Sequence, residues 1–243
     1  MRTALAVFLF AACSPDSTTY PIGGGPGGGA GGGGGGGGSG GSGATADANP
    51  DVIEGLVCVL PDPRDFSTCL ASGAGGITVA VGAGTPAVTN DDGSFTITTP
   101  SGTNLEWSIS GSDVMTSTIG FSTSAVIPAI QTMTFETLAN ENGIVFDPTQ
   151  GTIIGQVLRA GSGFADATAV AAPIGIYDTF YASPEDQADW LDATTTTTFG
   201  TFLIAGLTPG VETLTLTPGV GSAAIVSDVP SGSGTITFLA TSM

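Results

Sequence analysis

From residue 51 onward the chain runs as short apolar alternations interrupted by turn residues. Ser94-Phe95-Thr96-Ile97-Thr98 puts an apolar side chain at every second position, and Leu105 to Ser110 (LEWSIS) does the same. A period of two marks a strand with one face buried, as in antiparallel sheets. Glu54 to Leu60, Ile77 to Val81 and Ala87 to Thr89 complete a first set, with Asn90-Asp91-Asp92-Gly93 as a tight-turn signal. A second set follows in the same order: Thr152 to Leu158, Ala167 to Ile176, Gly200 to Ile204, Leu214 to Leu216 and Thr235 to Leu239. Thr208-Pro209-Gly210 supplies its turn. Between the sets, Ile130 to Gly143 loses the alternation, and Asn142-Gly143 is a helix C-terminal signal. A short linking helix is expected near 131–142, and Asp147-Pro148 returns the chain to strands.

Ahead of these elements the pattern vanishes. Residues 22–45 are almost wholly Gly, Ser and Ala, with nothing to bury against the entropy cost of ordering. Gly-rich chain behaves as a flexible coil, and about 35 such residues span roughly 30–35 Å on average. The remaining residues, rich in Thr, Val and Ile and punctuated by Gly and Pro, have the composition of a sandwich or barrel.

The first residues read MRTALAVFLFAAC. A basic Arg2, a short apolar stretch from Thr3 to Phe10 and two alanines precede Cys13. The stretch is too short to span a bilayer and reads as a removable signal. FAAC resembles the lipobox of bacterial lipoproteins, with Phe10 where Leu is usual. That resemblance implies cleavage before Cys13, diacylglycerol on its sulfur, and a membrane contact through the lipid. Gram-negative lipoproteins retained at the inner membrane tend to carry Asp after the cysteine. Ser14 stands there instead, which points to the outer membrane, on either face. With Cys13 lipidated, Cys58 and Cys69 remain as an even pair in an oxidising compartment, where a disulfide would staple the proline-containing loop between them. Two free buried thiols or a metal site are the alternatives.

Charge and composition then exclude function classes. Three basic residues (Arg2, Arg64, Arg159) face twenty-one acids, for a net charge of −18, and the surface this implies repels phosphate backbones. No nucleic acid is expected as a partner. The chain contains no His, which removes the commonest general base and zinc ligand. No catalytic residue, metal or cofactor is expected.

The two strand sets also align with each other. DGSFTITTPSG at Asp92–Gly102 sits against FGTFLIAGLTPG at Phe199–Gly210. Each has a turn, Gly, a small residue, Phe, an alternating strand, then Pro and Gly. This resembles the carboxypeptidase regulatory-like domain, a transthyretin-like sandwich used as an accessory or surface module. The resemblance implies an all-β chain of two tandem Ig- or transthyretin-like antiparallel β-sandwich domains, after a disordered Gly-rich tether, with a short linking helix between them. The division is then 1–12 signal peptide, 13–48 lipid-anchored tether, 49–141 first sandwich and 142–243 second.

Four local patterns carry candidate chemistry. Gly37 to Gly41 matches a nucleophile elbow, but lies in low-complexity coil with no His to act as base. Ile77 to Ala87 looks like a strand followed by a dinucleotide fingerprint, yet Pro86 and the Asn90–Gly93 turn leave no room for the helix that would hold a pyrophosphate. It reads as a hairpin loop. Asn90, Asp91 and Asp92 could offer oxygens to Ca²⁺, and turn chemistry explains them as well. Finally Tyr177, Tyr181 and Trp190 lie near Glu185, Asp186, Asp189 and Asp192, an aromatic and carboxylate set suited to carbohydrate or another envelope component. Ser183-Pro184-Glu185-Asp186 reads equally as the start of a short surface helix. The expected function is a non-enzymatic cell-envelope lipoprotein with a structural, adhesion or scaffold role. A binding module using 177–192 is the alternative.

Overall fold

The computed structural model describes residues 51–243, apart from 67, 71–73, 83, 100–105, 120–125, 174, 176, 185–188 and 192. Cys13 and the glycine run lie outside the described residues. In the first half, strands form where the alternation predicts them: β1 (Asp51–Val59), β2 (Thr78–Val81), β3 (Ala87–Val88), β4 (Ser94–Thr99) and β5 (Trp107–Ser110). Two strands without a clear sequence signal follow, β6 (Ser117–Ile119) and β7 (Val126–Ala129). The helix α1 occupies Thr132–Glu141. The second half contains β8 (Gly151–Arg159), β9 (Ser162–Gly163), β10 (Ala167–Ala172), β11 (Asp178–Ala182), β12 (Trp190–Leu191), β13 (Thr201–Leu207), β14 (Gly210–Pro218), β15 (Ala224–Ser231) and β16 (Ile236–Ser242).

The fold is all-β with sandwich packing, and its two halves repeat one topology. In the first, β1 lies between antiparallel β4 and parallel β7. In the second, β8 lies between antiparallel β13 and parallel β16. The registers agree residue for residue: Gly55 faces Phe95, and Gly155 faces Phe202. A Cβ on Gly155 would run into the Phe202 ring, so the glycine makes room for the aromatic. The Val57 N–H donates to Gly93 O at 2.9 Å, and the Val157 N–H donates to Gly200 O at 2.8 Å. Both turn glycines have positive φ, 84° and 68°, which any side chain would strain. Opposite these triplets lie two meanders, β2-β5-β6 and β10-β14-β15.

Three parallel pairings join the antiparallel ladders, and one of them fuses the halves. Strand β16 pairs with β8 on one side and with β6 of the first half on the other, in parallel both times. The result is one ten-stranded sheet running through both halves. Ala48–Met243 accordingly form one compact unit. The 141/142 division separates two repeats along the chain, while the sheet passes between them.

The central sheet is buried on both faces across the second half. Ile153, Val157, Phe202 and Ile204 join the β10-β14-β15 sheet in one core. Ile154, Leu203, Ile236 and Phe238 face the other way, into the core shared with α1 and the first half. This explains why β8 and β13 read as near-continuous apolar runs.

The helix end matches its sequence signal. The Ile144 N–H donates to Ala139 O at 2.8 Å and the Gly143 N–H donates to Asn140 O at 3.4 Å, with Gly143 at φ 65°. This is a Schellman closure, and Ile144 is buried behind it.

The two turns read from the sequence connect sheets rather than paired strands. Asn90–Gly93 carries the chain from β3 in the central sheet to β4 in an outer one, and Thr208-Pro209 leads from β13 to β14 in the same manner. Turn chemistry holds the first: Asp92 Oδ1 accepts from the Ser94 N–H at 2.9 Å and from its hydroxyl at 2.6 Å. These bonds hold the Asp92 carboxyl below its ordinary value, the hydroxyl contributing most. The 77–87 segment is the β2–β3 hairpin, with Thr78 opposite Val88.

Candidate functional site

The segment 177–192 adds a hairpin to the edge of the central sheet. Strand β11 pairs with β13, and β12 pairs with β11, so that Tyr181 faces Leu191 and Ala182 faces Trp190. Because both faces of this sheet are covered, alternation sends the aromatics into two different cores. Tyr181 is 4 % exposed, in the core with Phe202 and Leu214. Trp190 is also 4 % exposed, on the opposite face with Leu203 and Phe238. The expected surface patch of Tyr177, Tyr181 and Trp190 is therefore not assembled: two of its three members are core residues on opposite sides of one sheet. The helix expected from Ser183 falls on 185–188, outside the described residues. At its ends, the Ser183 N–H donates to Asp189 O at 2.8 Å and closes the hairpin.

The tyrosines have a definite structural task. Strand β10 is the edge of its sheet, pairing with β14 alone. Its Ala169 N–H donates to the Tyr181 hydroxyl and its Ala171 N–H to the Tyr177 hydroxyl, both at 3.0 Å. The Tyr177 hydroxyl returns a bond to Ala171 O at 3.1 Å. Buried backbone donors that would otherwise be left open are thus satisfied from the facing sheet. Burial raises the Tyr181 phenol above its ordinary value, against the Ala169 bond.

The Cys58–Cys69 disulfide is present, which settles the cysteine alternatives. The loop it closes carries Arg64 into the second half. Replacing both cysteines by Ala is expected to lower the unfolding free energy by about 3 kcal/mol, the loop-closure entropy of roughly 12 residues. Urea denaturation of the double variant against the oxidised parent measures this. A loss under about 1 kcal/mol would mean that packing, not the bridge, holds the loop.

One ionisable side chain breaks the pattern of the fold. In β14 the inward positions are 212, 214, 216 and 218, and the first is Glu212, 3 % exposed between exposed Val211 and half-buried Thr213. Its Oε2 is buried with no hydrogen-bond partner. Burial raises its carboxyl above the ordinary value. Extending the period of two backward from Leu216 and Leu214 would have found this residue in the sequence. It lines a cavity of about 160 Å³ between the connection from β10 to β11, which supplies Pro173, Gly175 and Tyr177, and the β13–β14 turn. Leu207 is buried beside it, half-buried Tyr177 forms a wall, and exposed Pro173, Gly175 and Thr208 form the rim. Tyr177 is thus the member of the expected patch that lines this cavity.

Glu212 is costly to the fold, with a definite sign in pH. At low pH the carboxyl is protonated in both states and burial costs little. As pH rises the unfolded chain ionises first and is favoured, and the cost is complete above the raised folded value. Glu212→Leu is expected to raise stability at pH 7 by about 1–3 kcal/mol, the burial cost of an unsatisfied polar group. The gain should shrink as the pH falls through the carboxyl range. Denaturation series at several pH values check this, and a gain independent of pH would assign it to added apolar volume alone.

Among the described residues, no group of three or more His, Cys, Asp or Glu side chains is placed to hold a metal ion. None of their helices is long and apolar enough to cross a membrane. No family profile matches the chain, and no curated protein matches it. Among solved structures it is similar to the Bacillus anthracis TIE protein at 12 % identity, over 79 % of this chain and 34 % of that one, with a TM-score of 0.22. The chain thus spans about a third of that protein's length.

Proposed function

We propose that the chain is a non-enzymatic lipoprotein of the bacterial cell envelope. It is anchored through Cys13 at the outer membrane and displays a fused β-sandwich body on a glycine-rich tether, in a structural, adhesion or scaffold role. The observation that carries this reading is the Cys58–Cys69 bridge. Disulfides persist in exported proteins and are rare in reducing cytosol. The FAAC sequence supports the anchor, and the absence of His and Lys from the chain supports a role without acid–base chemistry. Residues 22–45 supply reach, since a Gly-rich coil of that kind lets a rigid body turn freely at a distance from its attachment.

An intact mass of protein extracted from membranes, before and after reduction, tests the proposal. The expected species begins at Cys13, carries a diacylglycerol-type adduct and gains two hydrogens on reduction. Cys13→Ala should move the protein from the membrane to the soluble fraction with its disulfide intact. An unlipidated wild-type mass that begins elsewhere would remove the anchor and leave a secreted protein with a flexible leader.

A further inference from the structure

The Glu212 cavity has the features of a binding site that the fold does not require. The two halves give an internal comparison. Trp107 of β5 pairs with Val81 and Ile119, as Leu214 of β14 pairs with Ala171 and Val226. Counting back two residues along the sequence gives Glu212 in the second half and Leu105 in the first, which lies outside the described residues. The repeat is apolar at this place in the sequence of one half, and in the other half the fold buries a carboxylate there. Strand β14 is the middle strand of its sheet, so the charge does not serve to protect an open edge. The partner strand β15 makes room for the departure: its register against β14 shifts between Glu212 and Leu214, beside Asp228 at φ 58°. Bulges of this kind re-aim side chains near functional sites.

The body offers the carboxylate no counter-charge. Arg64 is engaged with Asp62, and the guanidinium of Arg159 lies 3.9 Å from the Phe164 ring centroid. The chain has no Lys or His, and its third basic residue, Arg2, belongs to the expected leader. A cation for Glu212 must come from outside.

We infer that the cavity lined by Glu212, Tyr177 and Leu207 is a site for a primary alkylammonium group, free or carried on a lysine side chain. The buried carboxylate would pair with the ammonium, the face of Tyr177 would flank it, and Leu207 and Pro173 would contact the alkyl stem. A cavity of about 160 Å³ matches roughly five water volumes, the size of a four-carbon ammonium and too small for a sugar ring with its hydration. A hard divalent cation is a poor fit, since it takes six or more oxygens and this site presents one carboxylate. The Tyr177 hydroxyl is already committed to Ala171, so specificity rests on Glu212.

The test is a titration of the full chain, followed by amide chemical shifts, with n-butylammonium chloride, Nα-acetyl-lysine N-methylamide and, as neutral control, butan-1-ol. Saturable shifts at Gly206, Leu207 and Glu212 are expected with at least one ammonium, and butan-1-ol should bind about tenfold more weakly or worse. Glu212→Gln should weaken the ammonium by about tenfold or more. Glu212→Leu keeps the comparison open if the Gln variant folds poorly. Binding of n-butylammonium alone assigns a free amine, and binding of the lysine analogue alone assigns a lysyl group of a partner protein. Binding of neither, or equal binding by wild type and the Gln variant, overturns the inference. The anchor proposal is untouched by either result, because this titration reads the folded body alone.

Discussion

Phe238→Ala is expected to lower the stability of the body by about 3–5 kcal/mol, and to do so in both halves at once. Phe238 is fully buried on β16, the strand that pairs with β8 of the second half and β6 of the first. Its ring meets Phe66 of the disulfide-closed loop edge to face, with centroids 5.7 Å apart. Beside it, the Thr237 and Thr118 hydroxyls bond across the junction at 2.9 Å. Truncating the ring empties a site where the two repeats meet, and folded domains hold only about 5–15 kcal/mol in total. Each half contains one tryptophan, Trp107 and Trp190. The variants Trp107→Phe and Trp190→Phe therefore leave one fluorescence reporter per half. With Phe238→Ala both reporters should shift to the same lower urea midpoint. Two separate midpoints would show that the repeats unfold independently and that the shared sheet adds little to cohesion.

What the sequence made legible follows from how local each signal is. Phe95 and Ile97 alternate with threonines, and β4 forms there with the inward and outward faces this implies. Asn142-Gly143 marked the helix end because left-handed backbone after a helix is a single-residue requirement. The strands the sequence did not mark are β6, β7, β9, β11, β12 and β15, and the first two show why. β7 carries Pro128 and pairs in parallel with a strand about 70 residues earlier, and β6 has three residues whose partner is the last strand of the chain. No window of sequence contains both members of those pairs. The aromatic patch failed for a related reason. Tyr181 and Trp190 group with nearby carboxylates along the sequence, which suggests a ligand patch. A sheet covered on both faces buries aromatics on either side, and nothing in 177–192 states that a second layer lies above it. Glu212 was legible in principle, since the period of two from Leu214 and Leu216 puts it on the inward face.

Arg64→Ala carries the second large effect, an expected loss of about 2–3 kcal/mol, below that of a fully buried pair because Asp62 is half-buried. Arg64 is 2 % exposed, and its Nε and Nη2 donate to the two oxygens of Asp62 at 2.9 and 2.7 Å. The guanidinium carbon stands 5.4 Å from the centroid of the Phe199 ring, and Nη1 reaches Ser183 O at 3.5 Å. The Thr201 hydroxyl donates to the Arg64 carbonyl at 2.7 Å. Phe199, Ser183 and Thr201 all belong to the second half, so a loop stapled in the first half by Cys58–Cys69 delivers its arginine into the other repeat. Removing the guanidinium takes three of the bonds from half-buried Asp62, which keeps the one from the Arg64 N–H, and leaves a gap against Phe199. Arg64→Lys should restore little, because an ammonium cannot grip both carboxylate oxygens with a planar fork. The double variant Arg64→Leu/Asp62→Leu should recover part of the loss, since it fills the buried arginine's space with apolar atoms and removes the half-buried carboxylate together with its partner. A double-mutant cycle on urea midpoints reads the coupling directly. If Arg64→Ala costs under about 1 kcal/mol, the pair is solvated in solution, and the junction depends on β16 and the cores around it rather than on this clamp.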